Sequence, residues 1–124
     1  MTSINHFTDL KAWQLNHEFV KQVYRLTKNF PADEQFGLTS QLRRSASSIT
    51  ANIAEAYGRH TMKDKQRFFY IARGSSTETQ NHLILAYQLG YMTKKDYDEL
   101  QEQVFVGFKV LCGLIRSTEK NIHE

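Results

Sequence analysis

Pro31 is the only proline in this chain and six glycines are its only companions, so the backbone has very few places to reverse direction. A fold of many short strands needs turn signals roughly every 8–12 residues, and this chain does not supply them. What it supplies instead is long stretches in which apolar residues recur at three- and four-residue steps, the pattern of amphipathic helices. The 124 residues make room for one domain with a modest core, read here as residues 1–124. No apolar run approaches the roughly 18 residues needed to cross a bilayer. The opening stretch from Met1 to His6 lacks a charged start followed by an apolar segment, so neither a membrane span nor a signal peptide is expected. Cys112 is the single cysteine, which excludes an intrachain disulfide and points to a reducing cytoplasm. Within an apolar helical pattern it reads as a small core residue.

Four helices account for the periodicity. The first is expected from about Asp9 to Lys28, with Thr8 as its N-cap and Leu10, Trp13, His17, Val20, Tyr24 and Thr27 on its inward face. Phe30-Pro31 stops it, because the residue before a proline is pushed out of the α region. The second helix is expected from Leu38 to Tyr57, with Leu42, Ala46, Ile49, Ile53 and Ala56 inward and Gly58 as a left-handed terminator. Thr61 and Asp64 form a capping box for the third, whose stripe is Phe68, Ala72, Ser75, Thr79, Leu83 and Ala86, closed by Gly90. Thr93 and Asp96 repeat the cap, and the fourth continues to about Lys120 over Tyr97, Leu100, Val104, Phe108, Leu111 and Ile115. Short links make sequence neighbours antiparallel, so the reading is an all-α, antiparallel up-down four-helix bundle.

Aligning the second and third helices about the turn near His60 sets Ala46, Ser47 and Ser48 opposite Ala72, Gly74 and Ser75, small residues that permit a close approach. The same alignment brings Arg44 within reach of Glu78, and Asn52 and Glu55 continue the side of Arg44 along its helix. With Arg73 these residues form a polar stripe that is either a binding groove or, the reading preferred, a satisfied polar layer fixing helix register. The fourth helix carries Phe105, Val106, Val110, Cys112 and Leu114 besides its core positions, apolar over roughly two-thirds of its circumference at 100° per residue. A second subunit is the natural cover for such a surface, so self-association is expected.

Chemistry is harder to find. Glu78 and His82 are four apart rather than the three of a di-iron Glu-x-x-His motif, and the five histidines show no ligand spacing, so no metal and no cofactor is expected. Nucleotide-binding, hydrolase and zinc-protease motifs are absent from the sequence, and Cys112 has no histidine within helical reach to activate it. An enzyme is not expected. The one positive signal is charge. Between Gln41 and Gly74 lie Arg43, Arg44, Arg59, Lys63, Lys65, Arg67 and Arg73 against only Glu55 and Asp64, a net of +5 in a chain whose total is +3. Cations in the first turn of a helix oppose its dipole at about 0.3–1 kcal/mol each. Together with free backbone N–H groups they suit an anion such as a phosphate. Tyr57, Phe69 and Tyr70 would stack on bases if exposed. The plain alternative is that these cations solvate a helix end and the aromatics are core.

Several segments are similar to a known family. Phe7-Thr8-Asp9-Leu10-Lys11-Ala12-Trp13-Gln14, Phe30-Pro31, Phe36-Gly37-Leu38-Thr39-Ser40-Gln41-Leu42-Arg43-Arg44-Ser45, Ser48-Ile49, Asn52-Ile53-Ala54-Glu55, Tyr57-Gly58-Arg59, Ile71-Ala72-Arg73-Gly74-Ser75 with Glu78, and Leu89-Gly90-Tyr91 resemble the bacterial four-helix bundle proteins encoded in intervening sequences of large-subunit rRNA genes. Thr50 and Ala56 depart from the family pattern, which usually has Pro and Gly there; the first implies a straighter second helix, and the second puts in doubt a close backbone contact. The chain also looks like the accessory proteins of diversity-generating retroelements. That resemblance implies a cofactor-free bundle without enzymatic activity, assembly into a pentamer, binding of RNA or DNA, and work beside a reverse transcriptase. It makes Arg43, Arg59, His60, Lys63, Lys65 and Arg67 the candidate nucleic-acid contacts, and leaves Arg44, Asn52, Glu55, Arg73 and Glu78 as structural. The competing expectation is a structural or protein-interaction oligomer that docks on apolar surface.

Overall fold

The computed structural model describes residues 3–123, and its helices start and stop at the few turn residues the chain possesses. In order these are a 3-10 turn (Phe7–Asp9), α1 (Lys11–Thr27), a second 3-10 turn (Ala32–Glu34), α2 (Leu38–Tyr57), α3 (Met62–Gln88) and α4 (Lys94–His123). Met1 and Thr2, part of the stretch read as lacking a signal peptide, lie outside the described residues, as do Glu124 and the side chains of Ile122 and His123. No helix is long and apolar enough to cross a membrane among the described residues.

Paired residues show the helix directions. Between α2 and α3, Ser45 faces Thr79 and Ser48 faces Ser75, both at 2.9 Å, so numbers rise on one helix as they fall on the other. Between α3 and α4, Tyr70 bonds Glu119 while Tyr87 stacks on Tyr97. Asn16 of α1 meets Gly107 of α4, and Arg43 of α2 meets Thr27 of α1. Each helix packs on its two neighbours, which is the expected up-down bundle.

The caps correct two expectations. Thr8 does not cap α1: the Asp9 carboxylate accepts from the N–H groups of Asn5 and His6 at 3.0 and 3.1 Å, closing a separate turn. α1 therefore begins two residues later than expected, after an extended Leu10. Gly58 is not left-handed, with φ −79°. The terminal carbonyls of Ala56 and Tyr57 accept instead from the Lys65 ammonium, at 3.3 and 2.8 Å, so no left-handed residue is needed. Gly90 does adopt φ +81°. There the Tyr91 N–H reaches the Ala86 carbonyl at 3.0 Å and the Gly90 N–H that of Tyr87 at 2.9 Å, a Schellman ending that a side chain at Gly90 would strain. Thr61 and Thr93 cap α3 and α4, each hydroxyl accepting from the N–H three residues on at 3.1 Å.

The core is the apolar stripe of each helix, and α2 follows its expected face throughout. α1 is rotated from the expected one: Ala12, Asn16, Phe19, Val20, Val23 and Thr27 are buried, whereas Tyr24 is exposed. Asn16 is the reason. Its amide N–H groups donate to the Ala12 carbonyl at 2.8 Å and the Gly107 carbonyl at 3.3 Å, so a polar side chain takes a core position and Trp13 stacks on His17 at the flank. A Cβ at Gly107 would run into the Asn16 amide, which is why α4 carries a buried glycine there. α3 buries Phe69 and Ser76 where Phe68 and Ser75 were expected, and Tyr97 and Phe108 of α4 are only half-buried. Cys112 is half-exposed, not a core residue, because the inward positions beside it go to Leu111 and Ile115.

Candidate nucleic-acid interface

The turn between α2 and α3 gathers five of the six candidate contacts at one end of the bundle. Arg43 is not among them. It sits along α2 about 21 Å from that turn at 1.5 Å per residue, with Nε donating to the Thr27 hydroxyl at 2.8 Å and its guanidinium over the Tyr24 ring. Its local work is to tie α2 to the end of α1.

The remaining five do different things. Lys65 is occupied by the α2 carbonyls and lies over the Tyr57 ring at 5.7 Å. Arg59 pairs with Glu55 and lies 3.8 Å from Asp64; Arg67 pairs with Asp64 at 3.0 Å. Both guanidiniums lie over the Phe68 ring, each 4.5 Å from its centroid. Lys63 and His60 are exposed and make no hydrogen bond or ion pair among the described residues. Beside the turn is an open cleft of about 400 Å³ lined by Glu55, Gly58, Arg59, His60, Thr61 and Asp64. Two carboxylates, Glu55 and Asp64, share its wall with the Arg59 guanidinium and His60, so an anion entering it meets both signs of charge. Of the three aromatics read as stacking platforms, Phe69 is buried, Tyr57 is half-buried beneath Lys65, and Tyr70 is exposed with its hydroxyl on Glu119.

Topology adds cations that a linear reading passed over. The start of α1 and the end of α4 share this end, since Leu10, Tyr57, Lys65, Leu114 and Asn121 line one cavity. Lys11, Arg116 and Lys120 are exposed and join the cationic group by position. Their signal was the up-down connectivity itself, which places both termini beside the α2–α3 turn.

The charged polar layer does not assemble. Arg44 and Glu78 form no ion pair; both are exposed, and Glu78 lies 3.6 Å from His82 of its own helix. An exposed pair of long side chains gains about 0–1 kcal/mol, too little to hold one geometry. Glu55 turns to Arg59, and Arg73 lies over the Tyr70 ring at 4.9 Å. Only Asn52 belongs to the seam, donating to the Ser48 carbonyl and hydroxyl at 2.8 and 3.0 Å. The layer that fixes register between α2 and α3 is built of hydroxyls: Ser45 with Thr79 and Ser48 with Ser75. Neutral hydroxyls avoid the desolvation cost that a buried ion pair would carry there.

Among the described residues no group of three His, Cys, Asp or Glu side chains is placed to hold a metal ion. A comparison with solved structures found a similar fold in the crystal structure of a protein of unknown function from the S23 ribosomal protein family of Bacteroides thetaiotaomicron. The TM-score is 0.79 at 26% identity, covering 85% of this chain and 95% of that one. No curated protein matches the sequence. The sequence profile of the 23S rRNA-intervening sequence proteins matches residues 8–112, most of the chain, with the α2–α3 turn inside the match. The chain belongs to the 23S rRNA-intervening sequence protein family.

Proposed function

We propose that this chain is a non-enzymatic, self-associating bundle that binds the phosphate backbone of RNA or DNA with its cationic end. The observation that carries the reading is the end-to-end asymmetry of charge. Lys11, Arg59, Lys63, Lys65, Arg67, Arg116 and Lys120 surround the α2–α3 turn against Asp9, Glu55, Asp64 and Glu119. At the opposite end Asp33, Glu34, Asp96, Asp98, Glu99 and Glu102 offset the cations around them. A surplus of cations on one surface attracts polyanions without reading sequence, and oligomer symmetry would repeat a weak patch. The resemblance to retroelement accessory proteins makes five the subunit count to test and a reverse transcriptase the protein partner, and the lone Cys112 makes the cytoplasm the location to test.

A salt titration of binding to a labelled hairpin RNA and to duplex DNA tests the reading. Binding at about 50 mM salt that weakens steeply toward about 200 mM is expected. No binding by the intact oligomer at the lower salt overturns it.

One observation favours a second reading, a structural or protein-interaction oligomer. Ile84 and Leu85 of α3, Leu89 at its C-cap, and Phe105 and Val106 of α4 are exposed, Phe105 by 51%. Apolar side chains this open are the usual material of subunit contacts. If Phe105→Glu dissociates the assembly while salt leaves every interaction unaffected, this second reading replaces the first.

A further inference from the structure

Arg59 and Arg67 are the two guanidiniums that the α2–α3 turn and the first turns of α3 carry, and each already holds an anion. Arg67 donates to one Asp64 oxygen from Nε at 3.2 Å and from the terminal nitrogen at 3.0 Å. Arg59 bonds Glu55 and lies 3.8 Å from the other Asp64 oxygen. Both guanidinium carbons lie 4.5 Å from the Phe68 ring centroid, so the one aromatic ring supports both arginines.

We infer that Asp64 and Glu55 are built-in stand-ins for phosphate: they hold Arg59 and Arg67 in an anion-binding pose and compete with nucleic acid for them, which sets the affinity of this end. The inference rests on the nucleic-acid reading above. Each guanidinium here donates to a single carboxylate oxygen, and a phosphate oxygen offers the same kind of charged acceptor, so one can replace the other at the arginine. The pairs are open to water, with side-chain exposures of 39% for Arg59, 60% for Arg67, 50% for Glu55 and 33% for Asp64. Solvent-exposed pairs of this kind are weak, so the exchange is easy. It is not free, because the displaced carboxylates remain beside the incoming phosphates. Binding is thus an exchange of anions, and it releases fewer counterions than the count of cations suggests.

The test compares two double variants with equal changes of net charge. Glu55→Gln/Asp64→Asn removes the competitors; the cap of α3 survives, because the Thr61 hydroxyl takes the backbone N–H of residue 64. Asp96→Asn/Asp98→Asn makes the same charge change at the other end of the bundle. Fluorescence anisotropy with the labelled hairpin RNA is read across salt, with circular dichroism confirming the helices. For the turn-end pair, affinity should rise about tenfold at low salt. The log–log salt slope should steepen by up to about two units as two more cations become available, and the other pair should change little. Equal gains from both pairs would reduce the effect to net charge and overturn the inference. Unchanged binding by the turn-end pair, with the wild type binding, also overturns it while sparing the nucleic-acid reading. If no protein binds at about 50 mM salt, the nucleic-acid reading falls and takes the inference with it. Should the double variant misfold, Glu55→Gln alone frees Arg59 from its nearer partner and should give part of the gain.

Discussion

The two ends of the bundle use charge in opposite ways. At the loop end, where Pro31–Gly37 and the Gly90 turn meet, Glu34 and Arg43 are matched to structural tasks. Glu34 accepts from the Tyr91 hydroxyl at 2.7 Å and from the Leu38 N–H at 3.1 Å, joining the α1–α2 connection to the α3–α4 turn and closing the start of α2. Phe30 packs on Tyr91, and Arg43 anchors α1. Of the cations at the turn end, Lys65 alone among the described residues bonds backbone carbonyls; Arg59 and Arg67 share exposed carboxylates, and Lys63 projects into water. The lesson is that a run of cations in sequence mixes two populations. Those that cap carbonyls or bridge helices are structural, and those in exposed, exchangeable pairs are available to a partner.

The largest expected effect tests that division directly. Lys63→Glu/Arg67→Glu should weaken RNA binding at low salt by about a hundredfold, since phosphate attraction is lost and repulsion replaces it. Lys94→Glu/Lys95→Glu at the loop end should change it less than about threefold; comparable losses in the two titrations would erase the distinction between the ends. Lys65 is left out of the reversal because its loss would confound binding with folding.

Arg43→Ala should lower stability by about 1–2 kcal/mol, from the charged donors lost to Thr27 and the Tyr24 carbonyl. A urea midpoint would show the loss, with RNA binding unmoved. A binding defect at native stability would return Arg43 to the interface. Lys65→Met should cost about 0.5–1 kcal/mol in a thermal melt, since α2 loses the cation at its C-terminal carbonyls. Lys63→Met should stay within about 0.5 kcal/mol of the wild type. Equal melting of the two would mean that Lys65 caps nothing.

The smallest effect belongs to Glu34. The Tyr91 hydroxyl, and after it the Leu38 N–H, hold its carboxyl below the ordinary carboxylate range. A carboxyl whose folded pKa is depressed contributes stability above its unfolded value of about 4.3, and that contribution fades as pH falls through the folded pKa. The wild type should therefore melt above Glu34→Gln near neutral pH, with the two curves converging in acid. A gap that persists in acid would assign the contribution to packing rather than to the charge.

Much of this molecule was legible in its sequence. α2 needed only its periodicity, because Leu42, Ala46, Ile49, Ile53 and Ala56 keep an unbroken apolar stripe beside the buried hydroxyls of Thr39, Ser45 and Thr50, and Gly37 precedes its start. α1 misled for the opposite reason: Asn16 broke the apolar pattern, so the face was drawn through the aromatics Trp13 and Tyr24 instead. Nothing local marks Asn16 as a core residue, since its partner carbonyl at Gly107 is 91 positions away. The candidate interface divides in the same manner. Its place at the α2–α3 turn followed from the clustering of cations between Arg59 and Arg67, but the separation of Lys65 and Arg43 from Lys63 did not.

Sequence by itself determined the number of helices, most of their ends and the seam of small residues, because caps, glycine geometry and helical period act within a few residues. Tertiary structure alone decided which cation meets which acceptor. A long flexible side chain reaches partners on neighbouring helices, and its choice among carbonyl, carboxylate and ring depends on distances that only packing sets.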